Sequence, residues 1–176
     1  KVANPLNAAA RAVAKIAEFQ VPTDPKTSFC VSNFHAGNDA GIHAIVPEAT
    51  IKFNLRSDSQ EVLEELYQRI LNALQEACDE ETARWGKDTI TVTHKRYCNV
   101  PAGTQDVHSP IVEATYAISS YLGYEPIFFH GGSTNCNMAI GKNIPAVCLG
   151  MGSLDCGAHT LQEFFETTDA HKGVQQ

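Results

Sequence analysis

The chain has 176 residues, 43% hydrophobic and 19% charged, a globular composition for one ordinary domain or two small ones. A formal net charge of −7 without any basic run excludes a nucleic-acid surface, whose phosphate contacts need clustered Lys and Arg. No apolar stretch approaches the roughly 18–20 residues of a membrane span.

The opening Lys1-Val2-Ala3-Asn4-Pro5 reads neither as a signal peptide nor as an initiator Met. Leu6, Ala9, Ala10, Val13, Ile16 and Ala17 recur at helical spacing, so a helix is expected from about Asn4 to Phe19. Asn4 and Pro5 suit its N-cap and first position. After a loop at Pro22, Asp24 and Pro25, two strands are expected, Ser28 to His35 and Ala49 to Arg56, joined by a turn-rich connection through Gly37 and Gly41. A long helix follows over Ser59 to Ala83, with Leu63, Leu66, Tyr67, Ile70, Leu74, Ala77 and Cys78 on one face. Asp58 with Glu61 three residues on reads as its capping box. Asp88 to Tyr97 alternates as a further strand. The order helix, strand, strand, helix, strand becomes β-α-β-β-α-β, the split ferredoxin-like unit, if one strand precedes it.

Residues 99–108 read as a linker, after which the pattern changes. A helix from Ser109-Pro110 carries Ile111, Ala114, Ile118 and Leu122. Glu125 to Phe129 reads as a short strand. Gly131-Gly132-Ser133-Thr134-Asn135 opens a small helix through Met138 and Ile140. Pro145 to Leu149 reads as a buried parallel strand, and Thr167, Thr168 and Asp169 offer N-caps to a last helix. Helix and strand alternate here as in α/β proteins, but two strands make no stable parallel sheet alone. Cysteines lie at 30, 78, 98, 136, 148 and 156, with no C-x-x-C, so they read as reduced thiols of a cytoplasmic protein.

His159 is the leading chemical candidate. It follows an apolar run and sits among glycines, where α/β sites lie and where a neutral imidazole serves as a zinc ligand. The bland alternative is a loop histidine. The 131–135 turn suits an anion or carbonyl oxygen, though a plain N-capped turn has the same pattern. His35 and His43 flank the Gly-rich connection and either converge on one ligand or are simply solvated. Cys78-Asp79-Glu80-Glu81 offers paired carboxylates, but its place at the end of an amphipathic helix reads as a solvated face. No G-x-S-x-G elbow supports a Ser-His-Asp triad.

In order and spacing, these marks resemble the dinuclear zinc exopeptidase and amidohydrolase family, which includes aminoacylase, carboxypeptidase G, succinyl-diaminopimelate desuccinylase and the tripeptidases. The marks in residues 1–98 are the Ala-rich first helix, Ala44-Ile45-Val46-Pro47-Glu48-Ala49 and Phe53-Asn54-Leu55-Arg56-Ser57. Those in residues 99–176 are Pro101-Ala102-Gly103, Gly131-Gly132-Ser133-Thr134, Ile144-Pro145-Ala146-Val147, and Gly157-Ala158-His159-Thr160 followed by Glu163.

The resemblance implies an α+β ferredoxin-like lid, or dimerisation, domain over 1–98 and the C-terminal segment of an α/β catalytic domain over 99–176. It gives His159 one of two zinc ions. His43 takes the place of a substrate-reaching Asn, and Gly132, Ser133 and Thr134 take substrate contacts. Asn135 stands where the family usually has Asp. The family's His-x-Asp, bridging Asp and Glu-Glu pair have no counterpart here, and none of the seven His is followed by Asp two residues on. The expectation is therefore a piece of a longer metal-dependent hydrolase of small peptides or N-acyl amino acids. It is homodimeric through the lid, has no nucleic-acid or membrane partner, and is inactive as this chain alone. The rival readings are a homodimerisation module without catalysis and a ferredoxin-like small-molecule-binding regulatory domain.

Overall fold

A computed structural model describes residues 2–38, 41–86, 90–129 and 131–176. The chain divides into two compact units, Lys1–Ala102 and Gly103–Gln176.

The first unit is built from helix α1 (Pro5–Ala17), strands β1 (Thr27–Ala36) and β2 (Ala49–Ser57), and helix α2 (Gln60–Trp85). Asn4 caps α1, its side chain accepting the Leu6 N–H at 3.0 Å, with proline at the first position. The cap of α2 is Ser59, which accepts the Val62 N–H at 3.4 Å, and not the expected Asp58. Gly86 ends α2 at φ +70°, in the left-handed conformation common after a helix.

β1 and β2 pair antiparallel. Phe29, Val31, Phe53 and Leu55 point to one face and pack with Ile16, Ile70 and Ala73 from the two helices. Ser28, Cys30, Lys52, Asn54 and Arg56 point away and are exposed, the one-sided pattern of an antiparallel sheet. The register slips between Val31 and Asn33. The extra residue, Ser32, is a β-bulge that rephases the strand. Beyond it Phe34 pairs with Ile51 on the helix-facing side, and His35 pairs with Thr50 on the outer one.

α1 and α2 run antiparallel. Asn4, Asn7 and Arg11 meet Glu81 near the end of α2, Lys15 meets Glu76 and Glu80, and Arg69 lies 4.4 Å from the Phe19 ring centre. This arrangement is compatible with a ferredoxin-like domain. The expected strand at 88–97 lies partly outside the described residues, and 90–97 form no strand. A strand exists only through its ladder, and among the described residues the sheet has two strands. Residues 94–102 instead lie antiparallel along α2. Arg96 grips both Glu64 carboxylate oxygens at 2.8 Å and stacks 3.8 Å from the Tyr67 ring centre. His94 meets Tyr67 edge-on, and the Ala102 N–H donates to Gln60 at 3.0 Å.

The second unit holds α3 (Pro110–Tyr121), α4 (Cys136–Ile140), β3 (Asp155–Cys156), β4 (Phe164–Phe165) and α5 (Ala170–Gln175). The helices fall near their expected places. The expected strands at 125–129 and 145–149 do not form, so the described residues contain no parallel α/β sheet. At Ala146 a side chain replaces the neighbouring strand: the Gln105 amide donates to the Ala146 carbonyl and accepts its N–H at 3.1 Å. The Tyr124 hydroxyl likewise donates to the Gly152 carbonyl at 2.5 Å. The β3–β4 pair, unforeseen in the sequence, frames the segment carrying His159.

Candidate functional site

His159 sits at the apex of the β3–β4 hairpin. Cys156 pairs with Phe164 and Asp155 with Phe165. Gly157 turns the chain at φ +70°, and a Cβ there would lie 2.9 Å from the Gln162 carbonyl oxygen, so only glycine fits. The Thr160 N–H donates to the Gly157 carbonyl at 3.0 Å, and the Thr160 hydroxyl donates to the same oxygen at 2.7 Å. That hydroxyl also accepts the Gln162 N–H at 3.2 Å. His159 takes φ +67° and is exposed, and its own N–H donates to Glu163 Oε2 at 3.1 Å.

The 131–135 turn is elsewhere in the same unit. Thr134 and Asn137 brace the turn that leads into α4: Thr134 Oγ1 accepts the Cys136 N–H at 3.2 Å, and Asn137 Oδ1 accepts the Thr134 N–H at 2.8 Å. This closes the turn ahead of the helix, whose N-cap, Asn135, makes no side-chain cap bond. The bracing occupies the Thr134 N–H and one hydroxyl lone pair and leaves the hydroxyl proton free to donate. Gly132 lies against the Phe129 ring, where a Cβ would sit 3.0 Å from two ring carbons, and Ser133 is exposed. No hydrogen bond or ion pair among the described residues joins this turn to His159. His43 belongs to the first unit and is exposed in the β1–β2 connection. Asp39 and Ala40 of that connection lie outside the described residues. Among the described residues no three His, Cys, Asp or Glu side chains come together as metal ligands. A catalytic zinc takes about three protein ligands. The described residues therefore do not by themselves make the zinc site that the resemblance implies, and no catalytic step is assigned to them.

The acidic run at the end of α2 is not the solvated face expected from the sequence. Asp79 and Glu80 are exposed, but Cys78 is buried and Glu81 is 0% exposed. Glu81 Oε1 accepts from Trp85 Nε1 at 3.0 Å, the Asn4 N–H at 3.2 Å and Asn7 Nδ2 at 3.4 Å. Arg11 Nε lies 3.5 Å from Oε2. Burial alone pushes this carboxyl upward. The Trp85, Asn4 and Asn7 hydrogen bonds and the Arg11 charge together outweigh it and hold the group below the usual carboxylate range. Burial also raises the Cys78 thiol, and the adjacent Asp79 adds to the shift. The signal for Glu81 was present in the sequence: Leu66, Ile70, Ala73, Ala77 and Glu81 follow one helical stripe. Glu81 thus joins the start of α1 to the end of α2 and is structural.

Residues 1–82 match a family model described as a peptidase dimerisation domain, that of the M20 peptidases. The match spans α1, β1, β2 and all of α2 but its last turn, and it supports the M20 peptidase family for this part of the chain. Peptidases of that family are hydrolases and are generally metal-dependent.

Proposed function

Starting from the dimerisation-domain match over residues 1–82, we propose that the chain is part of a metal-dependent peptidase or amidohydrolase acting on small peptides or N-acyl amino acids. The first unit is its lid and homodimerisation domain. The second carries His159 as one zinc ligand of the parent enzyme, whose two zinc ions draw their other ligands from outside the described residues. Ser133, Thr134, Gly132 and His43 are the candidate substrate contacts. Support for the second unit is the order of its motifs and the hairpin that presents the His159 side chain to solvent. Six unpaired cysteines favour a cytoplasmic setting.

The observation that carries the proposal is the match over the α1-β1-β2-α2 unit. Its test is light scattering over a concentration series: a reversible homodimer is expected, and a monomer persisting to about 100 µM, well above micromolar affinity, overturns the dimer assignment. A second measurement concerns catalysis. Dipeptides and added Zn²⁺ with the purified 176-residue chain should show no hydrolysis. Turnover that copurifies with the chain would overturn the assignment of the remaining ligands to other residues.

A further inference from the structure

We propose that Glu163 is a positioning residue for His159, its carboxylate clamping the His159 main-chain N–H so that the imidazole is held at the hairpin apex. The proposal rests on the reading of His159 as the functional side chain of the second unit.

Its starting point is backbone strain. The Thr160 N–H closes a four-residue turn on the Gly157 carbonyl, which makes His159 the third residue of that turn, at φ +67°. That place usually belongs to glycine, because a Cβ in the left-handed conformation crowds the neighbouring carbonyl. Among the described residues Asn143 is the other non-glycine at positive φ; the region is uncommon for any side chain, though Asn and His enter it more readily than most. His159 is exposed, so packing does not explain why a large side chain occupies a glycine position. Strain retained where it serves no packing points to a use for the side chain.

The surroundings of His159 over-determine its backbone. On the C-terminal side, Thr160 is tied to Gly157 by both its N–H and its hydroxyl. The β3–β4 pairing fixes both ends of the loop one residue before Gly157 and one after Glu163. The His159 N–H is the remaining handle. Glu163 Oε2 takes it at 3.1 Å, reaching back four residues with a charge-assisted bond. With the peptides on both sides of Cα held, the Cα–Cβ direction is fixed, and with it the line along which the imidazole leaves the hairpin. The loop leaves no room for a substitute at its entry, since a side chain at Gly157 meets the Gln162 carbonyl.

Amide hydrogen exchange and chemical shifts of the ¹⁵N-labelled 176-residue chain test the clamp. Glu163→Ala is expected to speed exchange at the His159 amide about tenfold and to move its shift, and to speed exchange at the Thr160 amide that closes the same turn, the change expected when local hydrogen bonds open. Glu163→Gln keeps an oxygen acceptor and should recover most of both. In a His159→Gly background, residue 159 holds the left-handed conformation unaided, so Glu163→Ala should no longer affect the Thr160 amide. Protected Leu122 and Ile70 amides in every variant, one in each unit, serve as the folding controls. An unchanged His159 amide in Glu163→Ala overturns the proposal. So does Gln as damaging as Ala, or an equal Thr160 effect in the glycine background. None of these readouts needs a dimer or hydrolysis, so failure here is separable from failure of the proposed function.

Discussion

Glu81 shows how much a single side chain decides in the first unit. Its carboxylate accepts three hydrogen bonds and faces Arg11 while lying fully buried. Removing it strands the Asn4 N–H, the Trp85 indole N–H and part of the Arg11 charge. Bonds to charged groups contribute about 1.5–3 kcal/mol, so Glu81→Ala should cost roughly 3 kcal/mol in denaturant unfolding at pH 7, and Glu81→Gln somewhat less. The pH dependence follows from the direction of the shift. The folded carboxyl is held below the usual carboxylate range, so its stabilisation is complete above that range and is lost as pH falls towards the folded pKa. Glu81→Gln should flatten the acid limb of the stability profile, and an unaltered limb would remove Glu81 from this role. The buried stripe through position 81 was legible in the sequence. The burial of Glu81 was not, because charge at a helix end is usually solvated, and two of the partners that make burial tolerable sit 74 and 77 residues away.

At the scale of elements, local patterns define the first unit's helices and hairpin. Both long helices and both hairpin strands lie within a residue or two of their expected bounds, because an amphipathic period and a nearby antiparallel partner suffice to define them. The segments at 90–97, 125–129 and 145–149 have strand-like residues and no ladder. Gln105 takes the partner's place at Ala146, and the Glu64–Tyr67 surface of α2 takes it for Arg96. The His159 hairpin escaped notice for the opposite reason: it rests on two residue pairs and a set of turn bonds, too short for a period. The Arg96 latch invites its own test. The Arg96 guanidinium, followed by Gln68, lowers the Glu64 carboxyl through hydrogen bonds. Arg96→Ala should release 90–97 from α2, seen as loss of the Tyr67–His94 contact by NMR and faster protease cleavage in that segment, while unfolding of the α1-β1-β2-α2 core stays within about 0.5 kcal/mol, as for substitutions away from a core. Unchanged cleavage would mean that other contacts hold the segment.

The two units differ most when taken as wholes. Of the buried apolar residues among those described, Ala3, Ala8, Ala9, Ala12, Ile16, Leu66, Ile70, Ala73, Ala77 and Cys78 lie in the first unit and Val112 alone in the second. The second exposes Ile127, Phe129 and Leu161 at 84%, 78% and 100%. A segment that buries so little apolar surface offsets less of its ordering entropy than the first unit does. Limited proteolysis should therefore digest residues 103–176 first and leave a resistant piece near residues 2–86. Equal resistance of both halves would contradict this ledger of burial. The link between Asn4 and Glu81 also bears on synthesis. During translation, α1 leaves the ribosome long before the carboxylate that anchors it. At about 5–20 residues per second, its apolar stripe waits roughly 3–13 seconds for α2. Until α2 is made, the nascent first unit thus carries an apolar helix face with nothing to cover it.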